Sequence, residues 1–133
     1  MKPLAAFRVS RELRGVVFDL DGTVLTGGAL TVEAYQALHD LRAGGFRLIA
    51  CTGRPAGWGS VIARQWPIDA AIAENGAVAF LPVGDGIVRL DRLTEEARKV
   101  RQAKLQEASD ALLAAHEDLV LTDDNLGRLT DVT

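Results

Sequence analysis

A short apolar strand that ends in two carboxylates is the feature that most constrains this chain. Val16, Val17 and Phe18 form a β-branched, apolar run that is typical of a buried parallel strand. Asp19 and Asp21 follow, and their side chains point the same way because residues two apart in an extended chain share a side. Open α/β sheets bind ligands at the carboxyl ends of their strands. The sequence therefore predicts an α/β fold with an acidic site at that edge.

A second strand follows after one helix, which predicts a parallel βαβ unit. Thr31 suits the N-cap of this helix, Gly44 suits its end, and residues 46–51 form an apolar run of strand character. Strand–helix–strand connections are parallel and right-handed, so the two strands should be neighbours. The pattern also predicts an irregular flap at 24–30, strands at 68–73, 77–81, 87–90 and 119–121, and a long helix at 94–116.

Composition narrows the class of protein. Of the 133 residues, 48% are hydrophobic and 25% are charged, which is typical of a folded globular domain. The net charge of −3 argues against nucleic acid as a partner. No apolar run approaches the roughly 20 residues that span a bilayer, which argues against a membrane partner. Cys51 is the single cysteine, so no intrachain disulfide forms and a cytoplasmic location is expected.

The end of the second strand has the features of a phosphate-binding loop. Pro55 suits the first turn of a helix, whose unpaired N–H groups attract anions. Gly53 lets the backbone approach a ligand closely, and Arg54 can donate two hydrogen bonds to phosphate oxygens. By themselves these features also fit an ordinary strand-to-helix loop. Because the loop lies one βα unit after the paired carboxylates, we predict that Thr52, Gly53 and Arg54 bind phosphate. Cys51, just before them, is interpreted as a packing residue.

The run Asp19-Leu20-Asp21-Gly22-Thr23 resembles the signature of the haloacid dehalogenase-like (HAD) phosphohydrolases. The resemblance implies a Rossmann-like core in which Asp19 is the nucleophile that forms an aspartyl-phosphate. Asp21 is then the general acid for the leaving oxygen and afterwards the base for water.

The same resemblance assigns the remaining phosphate and metal contacts. Gly22 and Thr23 would contact the phosphate, and the Thr52 hydroxyl would hold the transferring phosphoryl group. Mg²⁺ would be bound by the Asp19 side chain and the Asp21 backbone carbonyl. A cation is needed because a carboxylate and an anionic phosphoryl group repel one another.

Glu74-Asn75-Gly76-Ala77, together with Thr52-Gly53-Arg54-Pro55, resembles the HAD class IIB, which includes Cof-type and sugar-phosphate phosphatases. The resemblance implies a small phosphorylated metabolite, such as a sugar phosphate, as substrate. It also implies a core over residues 1–82 and the beginning of an α+β cap over 83–133. Asn75 is then either a substrate contact or a structural turn residue.

Two later motifs of the family, a lysine and an acidic loop, have no clear match, so we expect a member truncated within its cap and only weakly active. One alternative is a compact capless phosphatase in which Lys104 and Asp123 fill these roles. Another is an inactive fragment that binds phosphate or a partner chain. Self-association through an unpaired sheet edge is a further expectation.

Overall fold

A computed structural model of the chain describes residues 12–133. The part of the predicted core before residue 12 therefore lies outside the described residues. The elements, in chain order, are β1 (Gly15–Phe18), β2 (Leu25–Thr26), β3 (Ala29–Leu30), α1 (Val32–Ala43), β4 (Arg47–Cys51), α2 (Ala56–Gln65), β5 (Ala70–Ala73), β6 (Val78–Val83), β7 (Gly86–Asp91) and α3 (Glu95–Ala115). Short 3₁₀ helices occupy Glu74–Gly76 and Asp123–Gly127.

The main sheet has five strands in the order β1-β4-β5-β6-β7. β1, β4 and β5 are parallel, with Phe18 opposite Ala50 and Cys51 opposite Ile72. β6 and β7 are added as an antiparallel hairpin. The predicted α/β fold with a parallel βαβ unit is confirmed. Since β7 runs in the same direction as β5, the carboxyl ends of β1, β4, β5 and β7 all lie at one edge of the sheet.

The core lies between this sheet and helices α1 and α2. Leu48 and Ala50 of β4 and Ala71 and Ala73 of β5 are completely buried. Helix α2 packs against β5 and β6 through a face of small residues and one isoleucine, namely Ala56, Gly59, Ile62 and Ala63. At Gly59 an added Cβ would lie 2.9 Å from the Phe80 ring, so the helix can approach the sheet this closely only with glycine there. The small residues therefore set the distance between helix and sheet.

Two predicted segments are different in the structure. Residues 24–30 were expected to be irregular but contain a small antiparallel hairpin, in which Leu25 pairs with Leu30. The prediction of a strand at 119–121 is wrong, since these residues form no strand. A strand needs a neighbouring strand for its backbone groups, but the Leu119 N–H donates to the His116 carbonyl at 3.3 Å in a local turn. Val120 remains 85% exposed.

The predicted boundary at residue 82 falls within β6, and β7 continues the same sheet beyond it. α3 follows, capped at its start by Thr94, whose side chain accepts a hydrogen bond from the Ala97 N–H at 3.2 Å. The division into core and cap stays a prediction. Over residues 12–133, none of the helices combines the length and apolar character that a membrane span requires.

The two glycines of helix α2 provide a test of this packing. Gly59→Ala should destabilise the fold by about 1–3 kcal/mol, because the new methyl group would press on the Phe80 ring. Gly57→Ala is the matched control: its added Cβ would meet the Gly127 backbone at an ordinary 3.6 Å. That change should stabilise the helix by about 0.5–1 kcal/mol. Urea unfolding of both variants measures the difference, and equal stability would contradict the close approach of α2 to the sheet.

Candidate active site

Two carboxylates project from the carboxyl end of β1. Asp19 and Asp21 are exposed, whereas Leu20 between them is completely buried, as their alternation predicts. The chain then turns sharply at Gly22, whose φ of 72° favours glycine. The N–H groups of Thr23 and Val24 both donate to the Leu20 carbonyl, at 3.2 and 3.0 Å. This turn holds both carboxylates at the edge of the sheet.

The loop after β4 lies beside this turn. Strands β1 and β4 are paired in parallel, and neighbouring strands lie about 4.8 Å apart, so the ends of the two strands are adjacent. Thr52 is 3% exposed, and its hydroxyl oxygen accepts a hydrogen bond from the Arg54 N–H at 3.1 Å. Among residues 12–133 the hydroxyl donates no hydrogen bond, so its proton is available to a ligand. The structure thus brings together Asp19, Asp21, Thr52 and Arg54, which the sequence predicted as one site.

Arg54 joins the two loops directly. Its Nε and Nη2 donate to the two carboxylate oxygens of Asp21 at 2.8 and 2.6 Å. These hydrogen bonds hold the pKa of Asp21 below its ordinary value. The guanidinium carbon also lies 4.2 Å from the centre of the Trp58 ring, a cation–π contact. Trp58 was missed as a site residue, although its position four residues after Arg54 at the start of a helix was the available signal. The predicted contact of Arg54 with phosphate stays a prediction.

A strained turn supports the phosphate loop from the other side. Glu74 and Asn75 have φ values of 48° and 56°, a left-handed conformation that costs energy in residues other than glycine. Their N–H groups donate to the carbonyls of Arg54 and Thr52 at 3.0 and 3.2 Å. The Asn75 Oδ1 atom lies 3.0 Å from the position of a Cβ on Gly53, so a side chain at 53 would crowd the turn. The Asn75 backbone is therefore structural, while its exposed side chain makes no hydrogen bond to any residue from 12 onward.

A buried carboxylate lies behind the turn. Glu74 is 3% exposed, and its side chain accepts hydrogen bonds from the N–H groups of Ala56, Leu129 and Thr130 at 2.8, 2.7 and 2.5 Å. The Ala56 N–H is the first of helix α2, so the carboxylate also caps that helix. Sequence reasoning missed this role. Glu74 thus ties the start of α2 to the C-terminal segment 128–131.

The C-terminal segment reaches the phosphate loop through Arg128. Its Nη1 donates to the Gly53 carbonyl at 3.2 Å, and it forms ion pairs with Asp124 and Asp131 at 3.0 and 2.9 Å.

Neither of the two residues named for the capless alternative contributes to these contacts. Lys104 is exposed in the middle of α3, and Asp123 follows no strand. The alternative therefore lacks the strand that it requires.

Few side chains at this site could bind a metal ion. Within residues 12–133, no three His, Cys, Asp or Glu side chains are grouped closely enough to hold a metal ion. The Asp19 carboxylate is exposed, and one of its oxygens has only a long contact, 3.5 Å, from the Thr23 hydroxyl. A single free carboxylate beside backbone carbonyls fits Mg²⁺, which favours hard oxygen ligands and keeps several of its waters. It does not fit a metal that prefers nitrogen or sulfur ligands.

A parallel sheet with two carboxylates after its first strand and a Thr-Gly-Arg loop after the next defines a phosphate-handling α/β protein. A family model described as haloacid dehalogenase-like hydrolase matches residues 16–130. The chain belongs to this family, which confirms the resemblance found in the motifs. The sequence matches none of the curated proteins.

Solved structures show the same fold. A phosphatase of the haloalkanoate (HAD) enzyme superfamily from Bacteroides thetaiotaomicron is 25% identical over 77% of this chain, with a TM-score of 0.53. A Thermoplasma acidophilum protein aligns with 90% of the chain at a TM-score of 0.65, with 16% identity. A haloacid dehalogenase-like hydrolase from B. subtilis aligns with 74% at a TM-score of 0.53 and 24% identity. The chain covers 38%, 49% and 34% of these three structures respectively.

Glu74 provides the test of how the site is held together. Glu74→Gln should lower the free energy of unfolding by about 2 kcal/mol, since hydrogen bonds to a charged group contribute about 1.5–3 kcal/mol. It should also speed amide hydrogen exchange at Leu129 and Thr130. Glu33→Gln, an exposed first-turn change in α1, is the control and should cost no more than about 0.5 kcal/mol. Unchanged exchange at 129 and 130 would show that the carboxylate does not hold this segment.

Proposed function

We propose that this chain carries the phosphate-handling part of a Mg²⁺-dependent phosphomonoesterase of HAD class IIB. Its substrate class is a small phosphorylated metabolite such as a sugar phosphate. The observation that carries the proposal is the position of Asp19, exposed at the end of β1 beside the Thr52–Arg54 loop at the end of β4. Family membership and a phosphatase among the similar structures support the reaction class.

Asp19 is the proposed nucleophile because its carboxylate is exposed and bound by no cationic side chain among the described residues. One of its oxygens forms a bond to phosphorus while the bond from phosphorus to the ester oxygen breaks. Asp21 gives its proton to that departing oxygen. Water then attacks the aspartyl-phosphate, Asp21 takes a proton from the water, and phosphate leaves Asp19 free.

Arg54 links phosphate binding to the release of the Asp21 carboxylate from its hydrogen bonds. In the structure its guanidinium occupies both oxygens of Asp21, one of which would carry the transferred proton. A phosphate offers the same paired oxygens with greater negative charge. We infer that the phosphate draws Arg54 away from Asp21, which leaves Asp21 free to act as acid and base. The Thr52 hydroxyl and the backbone of Gly22, Thr23 and Gly53 complete the proposed phosphate contacts.

The Asp19 side chain and the Asp21 backbone carbonyl are the proposed holders of Mg²⁺. When bound, this ion would neutralise charge between Asp19 and the phosphoryl group. Two protein oxygens leave most of its coordination to water and substrate, so its affinity should be low. We therefore expect turnover that needs millimolar Mg²⁺ and is slow.

The test is a phosphatase assay with p-nitrophenyl phosphate and a panel of sugar phosphates, run at several Mg²⁺ concentrations. Asp19→Asn should abolish turnover of every ester. Asp21→Asn should slow sugar phosphates about 10²–10⁴-fold but p-nitrophenyl phosphate much less, because an activated leaving group needs little protonation. Asp85→Asn is the control, since Asp85 is exposed in the turn between β6 and β7 at the opposite edge of the sheet.

A beryllium fluoride adduct formed with Mg²⁺ identifies the attacked residue. An adduct on any residue other than Asp19, or full turnover by Asp19→Asn, would overturn the assignment. Phosphate binding that depends on Thr52 without any turnover would instead favour the phosphate-binding module.

We also propose that the chain is a cytoplasmic protein and that it self-associates through β1. Among residues 12–133 β1 pairs with β4 alone, and Val17 is 66% exposed at this outer strand. An open strand edge is a template for pairing with a second copy.

Light scattering across a concentration series tests this proposal. The chain should show a rising mass with concentration, and Val17→Lys should shift it toward the monomer, because a charge at the edge opposes strand pairing. Val32→Lys is the control, since Val32 is 81% exposed on α1 away from the strand. A constant monomer mass at every concentration would contradict association.

A further inference from the structure

The phosphate loop, residues 52–54, is held by hydrogen bonds to each of its three backbone carbonyls. The first and last of these carbonyls accept from the backbone N–H groups of Asn75 and Glu74, at 3.2 and 3.0 Å. The middle carbonyl, that of Gly53, accepts instead from a side chain, the Nη1 of Arg128 at 3.2 Å. One peptide unit of the loop therefore depends on a residue that lies 75 positions further along the chain.

This hydrogen bond fixes the plane of the peptide that joins Gly53 to Arg54. The peptide is trans, so its C=O and N–H groups point in opposite directions. The carbonyl points to Arg128, and the N–H donates to the Thr52 hydroxyl oxygen at 3.1 Å. Since this N–H occupies one acceptor position of the hydroxyl oxygen, it also restricts the directions in which the hydroxyl proton can point. Glycine at 53 would let the peptide rotate if the carbonyl were not held.

The Arg128 side chain is firmly placed. It is 8% exposed, and it forms ion pairs with Asp124 at 3.0 Å and with Asp131 at 2.9 Å. The next two residues of the chain donate their N–H groups to the buried Glu74 carboxylate. Because two carboxylates surround its single positive charge, Arg128 is poorly suited to bind phosphate itself. What it contributes to the loop is an N–H donor in a fixed position.

We propose that Arg128 is a positioning residue for phosphate binding: by holding the Gly53 carbonyl, it keeps the Thr52 hydroxyl proton directed at the bound phosphoryl group. This inference rests on the proposed function and adds to it a residue that acts on the phosphate through the loop. Without Arg128 the peptide can rotate, and the hydroxyl then loses both its backbone donor and its fixed direction. The loop should then bind phosphate less tightly, because the hydroxyl is no longer preorganised.

The first measurement is hydrogen exchange at the Arg54 amide, which needs no ligand. Arg128→Ala should speed this exchange about 10-fold or more, because the N–H loses its fixed partner. Arg128→Lys should keep part of the protection, since an ammonium group can also donate to the carbonyl. Arg98→Ala is the matched control: Arg98 is also mostly buried, at 13% exposed, and paired with a carboxylate, but its partner Asp91 lies at the end of β7.

The second measurement is calorimetric titration of the full chain with inorganic phosphate in the presence of Mg²⁺. Arg128→Ala should weaken binding about 10-fold, the scale of one lost hydrogen bond to an anion. Thr52→Val should also weaken it. In the double variant the second substitution should add little, because the arginine acts through the hydroxyl. Arg98→Ala should leave the affinity unchanged.

Unchanged exchange at Arg54 in Arg128→Ala would overturn the proposal. So would additive losses in the double variant, or equal losses in Arg98→Ala, since either would reflect general destabilisation. Circular dichroism melting checks that each variant is folded, and Arg128→Lys provides the test if Arg128→Ala is not. Faster exchange at Arg54 in a chain that binds no phosphate in any variant would refute the proposed function and leave the orientation of the loop by Arg128 standing.

Discussion

The parallel pairing of β1 with β4 is the interaction on which the rest of the structure depends. It fixes Phe18 opposite Ala50, so the acidic turn after one strand and the Thr-Gly-Arg loop after the other emerge side by side. An antiparallel pairing would have placed them at opposite edges. The small residues of α2 and the buried alanines of β5 then let the helix lie close to the sheet, and α2 begins at the same edge because it follows the loop after β4. Strand direction therefore brings the two loops together, and their side chains then determine the chemistry of the site.

The buried carboxylate of Glu74 also stabilises the loops around the site. The Glu74 carboxylate accepts hydrogen bonds from backbone N–H groups in two parts of the chain, the start of α2 and residues 129–130, and these hydrogen bonds offset the cost of removing the carboxylate from water. Its backbone is held in a left-handed conformation that is unfavourable for glutamate. The three hydrogen bonds of the side chain thus help to offset the energy cost of this backbone conformation. The phosphate loop rests on this arrangement through two backbone hydrogen bonds.

The sequence could predict what depends on local chemistry. Apolar patterns, capping and chain direction predict the strands β1 and β4, the Thr31 cap of α1 and the adjacent positions of the loops that hold Asp19 and Thr52. It could not predict the partners of Glu74, which lie 55 and 56 residues further along the chain. The strand expected at 119–121 did not form, since an apolar run becomes a strand only where a neighbouring strand accepts it. The sequence also could not predict that Arg54 binds Asp21 in the structure, because the two residues lie 33 positions apart in the chain.

The contact between Arg54 and Trp58 has a spectroscopic consequence. An indole ring emits according to the charge that lies over its face, and here the guanidinium carbon lies 4.2 Å from the ring centre. Trp58 is 42% exposed, whereas Trp66, the other of the two tryptophans, packs against the core. Any movement of Arg54 from Asp21 toward an incoming anion therefore changes the surroundings of one indole and leaves the other as an internal reference. The fluorescence of Trp58 is therefore a direct probe of the proposed movement of Arg54.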